Sequence, residues 1–84
     1  MDRETQIEIN NMANALEGMA IEHFANDRTL SIPFETTVAF YEENPERARL
    51  KSEDLRSQLG EVFSLSRVHV SIQDTDYVIR IDRI

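Results

Sequence analysis

His23 and His69 are the only imidazoles in this 84-residue chain, and it has no cysteine. A zinc site draws three or four clustered ligands from Cys, His, Asp and Glu. Two histidines far apart in sequence, with no thiolate, do not meet that requirement. His23 sits within an apolar helical repeat, where a partly buried, hydrogen-bonded imidazole is the expected role. His69 falls on the polar side of an alternating stretch, where a cross-strand contact with Arg80 or Asp82 is expected. Nucleophilic catalysis needs a base beside its nucleophile. No Gly-x-Ser-x-Gly, glycine-rich phosphate loop or His-Glu-x-x-His run is present. The adjacent carboxylates Glu42-Glu43 and Glu53-Asp54 do not form an acid–base dyad on their own, because neighbouring helix positions point about 100° apart. The expectation is a chain that is not an enzyme and takes no metal or organic cofactor.

Charge is the stronger signal. The net charge is −7. Residues 1 to 46 carry −8 and residues 47 to 84 carry +1. Five of the nine basic side chains, Arg47, Arg49, Lys51, Arg56 and Arg67, fall close together. An acidic excess keeps a protein soluble, and it also attracts a basic partner or imitates the charge of nucleic acid. Glu17, Glu22, Glu35, Glu42, Glu43 and Glu46 are the carboxylates that would form such an acidic, partner-binding surface. The basic cluster has two readings: a solvated face pairing with the acidic first half, or a set of phosphate contacts.

The chain is one domain with a small core. No apolar run approaches the length of a membrane-spanning helix. The opening MDRETQ is polar and acidic, unlike a secretion signal. These features lead us to expect a soluble, cytoplasmic protein.

Residues 3 to 25 read as a helix, with Ile9, Met12, Ala13, Leu16, Met19, Ala20, His23 and Phe24 on one face and Asn26 or Asp27 as its end. The opposite side carries Ile7, Asn14 and Ile21 at heptad spacing, similar to one seam of a dimeric coiled coil. These three form a candidate homodimer face, which Val78 could extend. Leu30, Ile32 and Phe34 alternate with Ser31 and Pro33 and read as a short strand, held to a sheet edge or strand end by Pro33. Thr36 or Thr37 can cap a short helix through Val38 to Tyr41. Asn44-Pro45-Glu46 is a helix start. Leu50 points away from the Ala48, Leu55, Leu59, Val62 and Phe63 face, so a break is expected near Lys51, with Ser52 opening a second helix that Gly60 weakens.

Arg67 to Ile84 is the clearest element. Val68, Val70 and Ile72 alternate with polar residues, and Tyr77, Ile79 and Ile81 do so after Asp74-Thr75-Asp76. Period-two spacing about a polar turn predicts a β-hairpin with one buried face. Two registers keep the apolar set together: Ile72 opposite Tyr77, or Ile72 opposite Ile79. A two-residue primed turn would place positive φ on Thr75, so a wider loop is expected.

The fold class that follows is α+β: helix, short strand, two helices and a C-terminal β-hairpin, with a small antiparallel sheet packed on the helices. This order is similar to that of winged-helix proteins, in which a three-stranded sheet closes a helix-turn-helix and the hairpin forms the wing. The likeness lies in element order and spans most of the chain. It implies a DNA-binding regulator that reads a groove with helix 52–63, aided by Arg47, Arg49, Lys51, Arg56 and Arg67. Against it, the wing tip would set Asp74 and Asp76 beside phosphates. The favoured expectation is a small acidic protein-binding module. Its concrete form is an inhibitor of a nucleic-acid-binding protein, similar in composition to phage anti-defence proteins such as anti-CRISPR proteins.

Overall fold

The computed structural model describes residues 2–29 and 31–84. Helix α1 spans Arg3–Asn26. The Asp2 carboxylate caps its start, accepting the Thr5 N–H at 2.8 Å. Asp27 closes it, donating its N–H to the His23 carbonyl. Strand β1 is Phe34–Ala39, helix α2 Pro45–Val62, strand β2 Ser66–Gln73 and strand β3 Asp76–Arg83. The class is α+β, and its elements run helix, strand, helix, two strands. The three strands form one antiparallel sheet in the order β1-β3-β2.

The hairpin adopts the first of the two registers: Ile72 faces Tyr77, Val70 faces Ile79 and Val68 faces Ile81. Tyr77, Ile79 and Ile81 on the central strand are fully buried. They join Ile9, Ala13, Leu16 and Ala20 of α1, Leu55 and Leu59 of α2, and Phe34 of β1 in one core. The other face of the sheet, with Glu35, Thr37, His69, Ser71 and Arg80, is left to solvent. The fold is therefore two layers, with both helices on one side of the sheet.

Expectations about three parts of the chain are corrected. The first strand is not 30–34 (Leu30 itself lies outside the described residues), and no helix covers Val38 to Tyr41. Burial instead alternates from buried Phe34 through half-buried Thr36, Val38 and Phe40, with Glu35, Thr37, Ala39 and Tyr41 exposed. The β-branched run Thr36-Thr37-Val38 prefers that pleated geometry over a helix, and Pro33 stands just before the strand. Second, α2 does not break at Lys51. Leu50 is simply left 40% exposed. Ser52 bonds back to the Arg49 carbonyl at 2.7 Å rather than opening a new helix. Arg49 pairs with Glu46 one turn before it and with Glu53 one turn after, bridging the expected break. A single helix between β1 and β2 leaves no helix-turn-helix pair, so the winged-helix likeness stops at element order.

Third, the hairpin loop is not wide. Gln73 pairs with Asp76, which leaves only Asp74 and Thr75 in the turn. Asp74 alone takes positive φ, at 54°. Thr75 escapes the strain because an aspartate, whose short polar side chain tolerates the left-handed region, carries it.

The helix α2 glycine is not required by geometry. A Cβ at Gly60 would meet no atom within 4 Å. Gly60→Ala is expected to raise the urea-unfolding free energy by about 0.5–1 kcal/mol. Ile79→Ala, which empties the centre of the core, is expected to lower it by about 2–5 kcal/mol.

Candidate functional site

The basic cluster is consumed largely by the protein's own carboxylates. Arg47 lies 3.2 Å from Asp2 and 3.2 Å from Glu42. Arg49 bridges Glu46 and Glu53. Lys51, the single lysine, is buried and sits 3.2 Å from Glu42 and 3.5 Å from Glu8. Of the five expected phosphate contacts, only Arg56 and Arg67 have no ion-pair partner among the described residues.

The expected acidic surface divides in the same way. Glu42 is held by Lys51 and Arg47, Glu46 by Arg49, and Glu35 by Arg80 at 3.0 Å. Glu42 also accepts the Asn44 N–H at 3.2 Å, and this bond, aided by Lys51, lowers its pKa from the ordinary carboxylate value. Glu46 is lowered by its bond to Arg49. Glu17, Glu22 and Glu43, by contrast, have no cation within ion-pairing distance among the described residues, and neither do Asp74 and Asp76 at the hairpin turn. Ile7, Asn14 and Ile21 are all exposed on α1, with Ile7 and Ile21 about half accessible. Val78 lies on the open sheet face, opposite Ser71 and Thr37, on the other side of the molecule from that stripe.

The two histidines stand in different surroundings. The Nε2 of His23 is 3.0 Å from the Ile32 carbonyl. Its ring packs against Phe24 and Phe34, at 5.3 and 5.8 Å between centroids. His69 stands opposite Arg80 on the open face, the cross-strand placement expected of it.

One feature was not visible in the sequence. At the hairpin-turn end of the sheet, a groove of about 490 Å³ opens between the segment following β1 and the turn. Its apolar lining is Phe40, Tyr41, Pro45, Ala48 and Ile72. Every charged residue in the lining is a carboxylate: Glu42, Glu43 and Asp74. The Phe40 N–H donates to the Thr75 carbonyl at 2.9 Å, which joins the two walls. The Phe40 ring stacks on Tyr77 at 4.3 Å. Tyr77 donates its hydroxyl to the Ala48 carbonyl at 3.2 Å, and burial pushes its pKa up to about 12. Reading Val38 to Tyr41 as a short helix hid this site, because it placed Phe40 and Tyr41 on a helix rather than beside the hairpin turn. A second concavity, on the open sheet face, is lined by Thr37, His69, Ser71 and Val78 and carries its own Glu35–Arg80 ion pair.

No helix among the described residues is long and apolar enough to cross a membrane. Comparison with protein-family models, curated proteins and solved structures finds no match to this chain.

The opposite end of the molecule is closed by a partly buried ion pair. The Asp27 side chain, 3% exposed, lies 3.1 Å from the Arg83 guanidinium of β3. It also accepts N–H bonds from Ile32 at 2.8 Å and Thr29 at 3.1 Å. Arg83 lies 4.2 Å over the Phe24 ring. The Ile32 bond above all, with those from Thr29 and the charge of Arg83, lowers the Asp27 pKa to about 2. A depressed carboxylate stabilises the fold above its unfolded value, near 3.8, and loses that contribution as pH falls toward 2. Thermal melts across pH 5 to 2 should therefore show stability declining in that window. Asp27→Asn should melt lower than wild type at neutral pH and decline less steeply below pH 4.

Proposed function

We propose that the chain is a non-catalytic module that binds another protein through its anionic surface. The observation that carries this reading is how its charges are spent. The arginines and the lysine at the start of α2 are neutralised internally, while Glu17, Glu22, Glu43, Asp74 and Asp76 remain free. Affinity for duplex DNA comes largely from cations that neutralise phosphates. Arg47, Arg49 and Lys51 would have to leave carboxylate partners to do so, and Lys51 is buried besides. Asp2, Asp27, Glu42 and Glu46 all have pKa values displaced downward by hydrogen bonds or ion pairs. That is the reverse of what a general acid working near neutrality requires. In its most concrete form the partner is a protein whose basic surface ordinarily receives nucleic acid, and the module inhibits it by occupying that surface, as phage anti-defence proteins do.

Affinity purification from the native host at moderate salt tests the reading. The expected result is a protein partner retained at low salt and released at about 0.5 M, where surface charges are screened within a few ångströms. The triple variant Glu17→Lys, Glu22→Lys, Glu43→Lys should retain far less of it. Tight binding of duplex DNA in a gel shift at physiological salt, with no protein retained, would overturn the proposal.

A further inference from the structure

The groove at the hairpin-turn end differs from the rest of the surface in three respects. Its floor is fixed. Phe40 is stacked on the fully buried Tyr77, Ala48 is buried in α2, and Pro45 begins that helix with its φ set by the ring. The Asn44 side chain caps α2 beneath the rim, accepting the Glu46 and Arg47 N–H groups at 3.0 and 3.2 Å. Its rim is apolar yet accessible. Tyr41 is 93% exposed and Ile72 39% exposed. An aromatic ring held almost entirely in water beside a rigid apolar floor is the arrangement found where a partner side chain inserts. Its charge has one sign. Glu42 is already matched by Lys51 and Arg47, whereas Glu43 and Asp74 line the groove without a cation.

The other candidate surfaces lack this combination. The Ile7, Asn14 and Ile21 stripe lies beside the unpaired Glu17, but it presents only exposed side chains of one helix, without a fixed apolar floor. The open sheet face carries a Glu35–Arg80 pair that satisfies its own charges.

We propose that this groove is the docking site for a basic segment of the partner protein. One aliphatic or aromatic side chain of that segment enters between Tyr41 and Ile72, and flanking arginines or lysines lie against Glu43 and Asp74. The proposal rests on the protein-binding reading above and adds the place and the chemistry of the contact. A groove of about 490 Å³ falls within the usual range of sites that take one compact group. Carboxylates on its rim choose a cationic flank and reject an acidic one, by charge complementarity across the contact.

The test uses the full chain and synthetic peptides. One is Arg-Lys-Phe-Lys-Arg, and its controls replace Phe by Ser or the basic residues by Glu. Binding is measured by fluorescence anisotropy and mapped by amide chemical shifts. The Phe peptide is expected to move the resonances of residues 40–43 and 72–75. The Ser and Glu versions should bind at least about tenfold more weakly, roughly 1.4 kcal/mol. Tyr41→Ala should cost a similar factor. Glu43→Gln with Asp74→Asn should reduce both affinity and its salt dependence. Asparagine keeps the left-handed turn that Asp74 adopts, and Tyr41 is exposed, so neither change threatens the fold, and circular dichroism verifies this. Absence of shifts at residues 40–43 and 72–75 at millimolar peptide overturns the proposal. So does equal binding of the Phe and Ser peptides. Shifts confined to α1 near Glu17 and Glu22 overturn the groove while leaving the anionic protein-binding reading in place. Binding of duplex DNA in place of every basic peptide overturns both.

Discussion

Everything in this small fold is arranged around the Tyr77 side chain. It is fully buried on the central strand, its ring stacks under Phe40, and its hydroxyl reaches the Ala48 carbonyl. One residue therefore ties β3 to the segment leaving β1 and to the first turns of α2. A buried hydroxyl without a partner is costly, so the bond to Ala48 sets how α2 lies over the sheet as well as stabilising it. With Tyr77 in place, Ile79 and Ile81 continue the same row down β3, and α1 closes over them with Ile9, Ala13, Leu16 and Ala20.

The charges follow from that packing. The row of Tyr77, Ile79 and Ile81 pulls α2 against the sheet, and the carboxylates of α1 and of the β1–α2 loop come to rest against the α2 cations. Lys51 is the clearest case. Burying an ammonium is tolerable only with close counter-charges, and Glu42 and Glu8 supply them from two different elements. A stretch that reads as basic in the sequence becomes nearly neutral in the fold. The acidic excess persists in carboxylates that form no ion pair among the described residues, on parts of α1 and at the hairpin turn. The Asp27–Arg83 pair does similar work at the other end, fastening the last strand to the end of α1.

The legible and illegible parts of the sequence divide along physical lines. The hairpin and α1 were readable, down to the core positions of β3, because a period of two or of 3.6 recurs over many residues and one face is largely buried. Register was narrowed to two choices, because a one-residue slip would set Val70 against Arg80 and mix the two faces. β1 was misplaced, because its inward positions after Phe34 include Thr36 beside Val38 and Phe40, and threonine does not announce a buried face. The supposed break in α2 came from treating Leu50 as an obligate core residue, whereas a helix can leave one leucine in water at little cost. The acidic tip and Glu42-Glu43 were noticed separately. Their meeting across a groove depends on Phe40 pairing with the Thr75 carbonyl, a contact between residues 35 apart in sequence that no local pattern encodes.

That same contact explains why the groove is open at all. A wider hairpin loop would have set more chain beside Phe40. Asp74 instead takes the left-handed conformation and turns the chain in two residues. The turn is thereby kept short and its carboxylates stay at the rim. Tyr41, next after Phe40, is left in solvent at the edge of the groove. The aromatic floor, the exposed tyrosine and the acidic rim are thus consequences of one short turn pinned to one edge strand. A protein with a small core has placed an apolar concavity beside two unpaired carboxylates, Glu43 and Asp74, and that coincidence is the ground for proposing a basic, apolar-tipped partner rather than a nucleic acid.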